Sequence, residues 1–371
     1  DYHSHLGTRR GGMTSYSEDL GFQRNIHSIE NSPFRTKFES DVVSMKGNLC
    51  IGCISDTDPQ PILVRSKLGI YAICSIGIIR NANELVEELL EKGCANFESM
   101  SSGNINSGDL IGALIAQKGS FVEGIRYAQD KIEGTMSLII LTKDGIIAAR
   151  DKFGRLPIVI GKNSNGYCLA SESFAFQKLD YSIYKELEAG EIVKLTAESC
   201  ETLSAGDPSK MKICTFLWTY YGYPNAVYEG VNVEVMRTRN GEIMAENDIK
   251  NGCLPDVDYV CGVPDSGTPH AIGYANRSGI PFARPFIKYT PTWPRSFTPG
   301  NQSRRDLVAK MKLIPNPAIL KDQRVVFCDD SIVRGTQLRD NVRTFYEYGA
   351  KEVHARISCP PLVYGLSLIH I

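Results

Sequence analysis

Apolar positions along this chain repeat in two ways, and the change from one to the other falls near residue 205. Before it the runs are short and strand-like. Residues 138–142 and 146–149 are apolar runs joined through Asp144-Gly145, which predicts a hairpin with an Asp-Gly turn. Residues 157–160 and 167–170 are two further runs, split by the turn residues 163–166. Spacings of three and four predict helices between Asn83 and Gly93 and between Asp109 and Lys118. After residue 210, apolar strands alternate with helix-spaced segments. A strand is predicted at 257–263, then a loop at 264–268 and a helix at 270–278 closed by Gly279. A second apolar strand at 325–328 runs into Asp329-Asp330. A helix follows it, with Leu338, Val342, Phe345 and Tyr346 on one face and Gly349 placed to end it. Such alternation marks a parallel sheet with crossovers.

A length of 371 residues suits two domains, and the polar, turn-rich run at 203–211 is where they divide. We expect a first domain at 1–208, truncated at its N-terminus, and a second at 209–371, truncated at its C-terminus. A net charge of -1 gives no reason to expect nucleic acid or an acidic membrane as partner. With no apolar run of about 18 residues and no signal peptide, a cytoplasmic location is expected. Eleven scattered cysteines fit reduced thiols. Cys50 and Cys53 read as core thiols of a strand-like run rather than a metal pair, and His3 and His5 as surface histidines.

The chemistry concentrates after residue 324. Asp329 and Asp330, at the carboxyl end of a strand, can hold sugar hydroxyls or, through water, a magnesium ion. Backbone N–H groups around Gly335 and Thr336, at the start of a helix, suit a phosphate monoester. A solvated acidic turn before a helix is the plainer alternative. Residues 287–302 carry three prolines and no periodicity, which predicts a long functional loop. Lys288, Arg295 and Lys312 would bring it positive charge.

Residues 325–336 resemble the signature of type I phosphoribosyltransferases, which bind phosphoribosyl pyrophosphate (PRPP). The wording Asp-Asp-Ser-Ile-Val-Arg-Gly-Thr is similar to the amidophosphoribosyltransferase family, and segments such as Gly262-Val-Pro-Asp-Ser-Gly follow in that family's order. The resemblance implies an αββα sandwich of the N-terminal-nucleophile type followed by an α/β phosphoribosyltransferase domain. It implies an enzyme of purine synthesis that makes phosphoribosylamine from PRPP and ammonia, the ammonia being drawn from glutamine in the family. Asp329, Asp330, Lys288 and Arg295 would be catalytic. Ser331, Ile332, Val333, Arg334, Gly335, Thr336 and Lys312 would bind PRPP, and Ser266, Asp329 and Asp330 would hold magnesium. A homo-oligomer with purine nucleotides as candidate inhibitors is implied as well. Cys214 matches a ligand of the iron–sulfur cluster found in one branch of the family. The other ligands fall at or beyond residue 371, with Cys359 out of place, so no complete cluster is expected here. The rival readings are a regulator of the same fold that binds PRPP or a purine nucleotide without turnover, and a nucleobase salvage enzyme.

The first domain departs from the family's glutaminase pattern. A nucleophilic cysteine opens that domain in the family, and here the first residue is Asp1. The family's substrate-binding arginine, oxyanion asparagine and amino-group aspartate correspond to the neighbourhoods of Ser55, Ile76 and Ser107. Glutamine hydrolysis is therefore not expected of this chain.

Overall fold

The computed structural model describes residues 2–93, 97, 105–289, 313–332 and 335–361. The chain divides into two compact units, Asp1–Cys214 and Thr215–Ile371.

The first unit is a stack of layers. Its centre is a six-stranded antiparallel sheet in the order Cys200–Ser204, Ile192–Leu195, Gly145–Ala149, Ser137–Thr142, Gly69–Ile76, Ile62–Ser66. Alternation along the strand sends Tyr71 and Ile73 to one face and Ala72 and Cys74 to the other. On the first face they meet Leu85 and Leu89 of helix Ala82–Glu91, Leu110 and Leu114 of helix Ser107–Ile115, and Ile125 of helix Phe121–Lys131. On the second they meet Ile51, Tyr16 and Phe22 of a three-stranded sheet, whose middle strand Arg10–Ser17 pairs with Gly21–Ser28 and Leu49–Ser55. Helix Phe34–Ser44 joins that smaller sheet. Its buried Phe38 lies 4.7 Å from the His27 ring, and its Asp41 accepts from the His27 imidazole at 2.6 Å. Helices, sheet, sheet and helix make the αββα sandwich.

In the second unit, strand Arg324–Asp329 lies between Tyr259–Gly262 and Glu352–Ile357, parallel to both. The central strand is apolar throughout because both faces are covered. Val325 and Phe327 pack with Phe345 of helix Thr336–Glu347. Val326 and Cys328 pack with Ala245 of helix Val233–Lys250 and Tyr274 of helix Thr268–Ser278. Those last two helices touch through their backbones. A Cβ on Gly241 would stand 1.9 Å from the His270 carbonyl oxygen, and one on Gly273 would stand 1.9 Å from that of Thr238.

Some expectations need correction. The expected long loop opens instead as strand Phe286–Lys288, paired antiparallel with Leu313–Pro315. Helix Val233–Lys250 and the Arg10–Ser28 hairpin were not anticipated. Cys50 is exposed, on the outward side of its strand, although every described cysteine is a free thiol. His3 and His5 are partly buried against Phe174, with ring centres 5.9 and 5.7 Å away, and His5 reaches buried Glu172 at 2.6 Å. Among the described residues no helix is long and apolar enough to cross a membrane.

Candidate functional site

Two neighbouring parallel strands end side by side at Gly262 and Asp329, and the loops after them interlock. The Val263 N–H donates to the Cys328 carbonyl at 3.0 Å, and the Gly267 N–H to the Val263 carbonyl at 2.8 Å. Gly267 permits this approach, since a Cβ there would stand 2.4 Å from the Cys328 carbonyl oxygen. The tight loop brings Ser266 against Asp330, whose carboxylate accepts from the hydroxyls of Ser266 and Ser331.

Asp329 and Asp330 are both buried, at 6% and 3% exposure. Burial, then the adjacent Asp330 charge, holds the Asp329 carboxyl well above the ordinary carboxylate range. Burial raises Asp330 too, against the opposing pull of Ser266, Ser331 and the Arg237 charge. Two buried acids that resist ionising together make a place for a cation. The oxygen set of Asp329, Asp330 and Ser266 fits magnesium, which takes one or two carboxylates and leaves its other positions to water and substrate phosphates. No three His, Cys, Asp or Glu side chains form a metal-binding group among the described residues. Cys214 and Cys359 are partly buried thiols.

Past the acidic pair, Gly335 takes a left-handed conformation (φ 70°) and helix Thr336–Glu347 begins. The first N–H groups of that helix lack intrahelical partners and point toward the loop. Lys288 arrives from strand Phe286–Lys288, and its ammonium lies 2.7 Å from exposed Asp265 in the neighbouring loop. Ser266, Asp329, Asp330, Ser331 and, through Asp265, Lys288 thus gather at one end of the sheet. Ile332 is 49% exposed. Arg295, Lys312, Val333 and Arg334 lie outside the described residues. Sequence reasoning missed Asp265 as the Lys288 partner and Arg237 as the buried cation whose field reaches Asp330. Arg237 carried no signal of its own, being one of several basic residues in a polar stretch.

In the first unit, the positions corresponding to a glutamine pocket are engaged with other residues. The Ser55 hydroxyl accepts the N–H groups of Thr57 and Asp58 at 3.2 and 3.1 Å. Ser107 donates from its backbone and hydroxyl to buried Asp58 at 3.0 and 2.6 Å. The Gln60 side chain accepts from the Ser75 N–H at 2.6 Å and donates to the Ser75 carbonyl at 3.2 Å. Ile76 is 49% exposed and has no side-chain amide to offer. A glutamine-mimicking chloroketone is therefore expected to leave the chain's thiols unlabelled. Stoichiometric labelling of one residue, read by mass spectrometry, would contradict this.

The sequence profile of a family described as "Glutamine amidotransferase domain" matches residues 47–178. The amidophosphoribosyltransferase of Synechocystis sp. is 35% identical over 97% of this chain and 73% of the relative. That of Methanocaldococcus jannaschii is 33% identical over 98% of this chain and 81% of the relative. Among solved structures, a glutamine PRPP amidotransferase from B. subtilis, complexed with ADP and GMP, superposes with a TM-score of 0.83. It is 28% identical, over 98% of this chain and 78% of that one.

Proposed function

This chain belongs to the amidophosphoribosyltransferase family, pentosyltransferases of purine nucleotide biosynthesis, and from that premise we propose that its second unit binds Mg-PRPP at the carboxyl end of strand Arg324–Asp329 and transfers the phosphoribosyl group to ammonia. The observation that carries the site is the buried acidic pair, set between the Ser266 loop and the start of helix Thr336–Glu347. Asp329 and Asp330 hold the ribose hydroxyls, so that C1 faces the incoming nitrogen. Residues 331–336 take the 5′-phosphate, with Gly335 and Thr336 offering backbone N–H groups and Thr336 its hydroxyl. Lys288, Arg295 and Lys312 meet the pyrophosphate. Ammonia forms the new C–N bond on one face of C1 as the C–O bond to pyrophosphate breaks on the other. Positive charge grows at C1 meanwhile, beside two carboxylates. Magnesium, when bound on the oxygens of Asp329, Asp330 and Ser266, supplies charge to the leaving pyrophosphate. Purine nucleotides as inhibitors and assembly into a homo-oligomer belong to the same proposal; the B. subtilis neighbour's complex with ADP and GMP supports the first.

Binding is tested by thermal stability. A ligand selective for the folded chain stabilises it by about 2.7 kcal/mol at 100 times its Kd, so saturating Mg-PRPP should raise Tm clearly. No shift would count against the site. Thr336→Val removes one hydroxyl contact to a phosphate that is the same in ground and transition states. It should raise apparent KM for PRPP about tenfold, the cost of one hydrogen bond to a charged group, with kcat nearly unchanged. An equal loss in kcat would place Thr336 elsewhere in the reaction.

A further inference from the structure

The first unit gathers three cations round a single aromatic ring. Buried Asp151 builds the loop that presents two of them. One carboxylate oxygen accepts the N–H groups of Phe153 and Arg155 at 3.1 and 3.3 Å, and the other that of Met136 at 3.3 Å. On this fixed loop, Lys152 Nζ lies 5.5 Å and Arg155 Cζ 5.0 Å from the centre of the Phe153 ring. The third cation comes from a distant stretch of chain. Lys212 donates its backbone N–H to the Phe153 carbonyl at 2.7 Å and places its Nζ 5.1 Å from the same ring centre.

These charges have no carboxylate in ion-pair range among the described residues. Lys152 donates to the Ile132 carbonyl at 2.9 Å and Arg155 to that of Gly134 at 3.4 Å, both neutral partners. Four other lysines of this unit do have acidic partners, among them Lys131, 3.0 Å from Glu88, and Lys210, 3.4 Å from Asp207. An aromatic face attracts each cation weakly without cancelling its charge, so the three still repel one another. We propose that Lys152, Arg155 and Lys212 form a binding site for a phosphate dianion, either free phosphate or the phosphate group of a small ester. A guanidinium fork and two ammonium groups gathered on one ring suit a dianion with several acceptor oxygens better than a single carboxylate. This site belongs to the first unit and stands independently of the PRPP reading.

The test is a titration of the full chain with inorganic phosphate, ionic strength held constant with sodium chloride, read as Tm. The parent should be stabilised by phosphate. Lys152→Gln/Lys212→Gln should weaken apparent phosphate affinity at least fivefold, yet keep the parent's circular dichroism spectrum, which shows that it is folded. A response that persists at the parent's affinity in the double variant would assign phosphate to another part of the chain and overturn the proposal, as would no response in the parent. The single variant Lys212→Gln guards against misfolding, because that side chain makes no hydrogen bond among the described residues. It should weaken phosphate binding without lowering Tm in chloride. A lower Tm in chloride together with unchanged phosphate affinity would mean that the cations serve packing alone.

Discussion

Asp330→Asn is expected to lower PRPP turnover about 100-fold or more, the scale of losing one electrostatic group aimed at a charged transition state, while leaving the unliganded chain no less stable. The two halves of this expectation share one cause. Asp330 is 3% exposed, and burial raises its carboxyl together with that of Asp329. An ionised pair in such a place costs the folded chain stability, which is tolerated at functional sites. Asparagine keeps an oxygen for the Ser266 and Ser331 hydroxyls and removes the repulsion. It also removes half of the negative field beside a carbon that becomes positive, so the loss should fall on kcat more than on binding. An Asp330→Asn chain as active as the parent would show that the chemistry lies elsewhere.

Phe345→Ala should cost about 3–5 kcal/mol, the range for truncating a fully buried phenylalanine. Phe345 is completely buried. Its ring meets Phe286 edge-on at 4.9 Å and Phe327 at 5.1 Å. One side chain therefore clamps helix Thr336–Glu347 to the strand bearing Asp329 and to the strand bearing Lys288. Urea unfolding followed by circular dichroism should show the loss, with Phe345→Leu falling much less. A change below about 1 kcal/mol for Phe345→Ala would mean that the cavity collapses or that the helix is held by other contacts.

The strand that carries the candidate site was more legible in the sequence than the fold around it. A continuous apolar run ending in two acids reads as a buried parallel strand, and strand Arg324–Asp329 is that. Helix Val233–Lys250 was invisible because the residues it buries are Val233, Arg237, Gly241 and Ala245, which form no apolar stripe. It packs by close backbone approach at Gly241, where hydrophobicity carries no signal. Strand Arg10–Ser17 hid likewise, since it buries Gly11, Gly12, Thr14 and Ser15. Contacts between distant loops were equally hidden. The Lys288–Asp265 pair spans 23 residues, and the Ser107–Asp58 and Ser75–Gln60 bonds depend on how separate strands and loops meet.

The measurement closest to the central claim is pyrophosphate release from PRPP by the purified chain with ammonium chloride and magnesium. Release should rise with ammonia, saturate with PRPP, need no glutamine, and fall in Asp330→Asn. A chain that binds Mg-PRPP and yet releases no pyrophosphate above background at any ammonia concentration would be a ligand-binding regulator, and the assignment of catalysis to the acidic pair would be wrong.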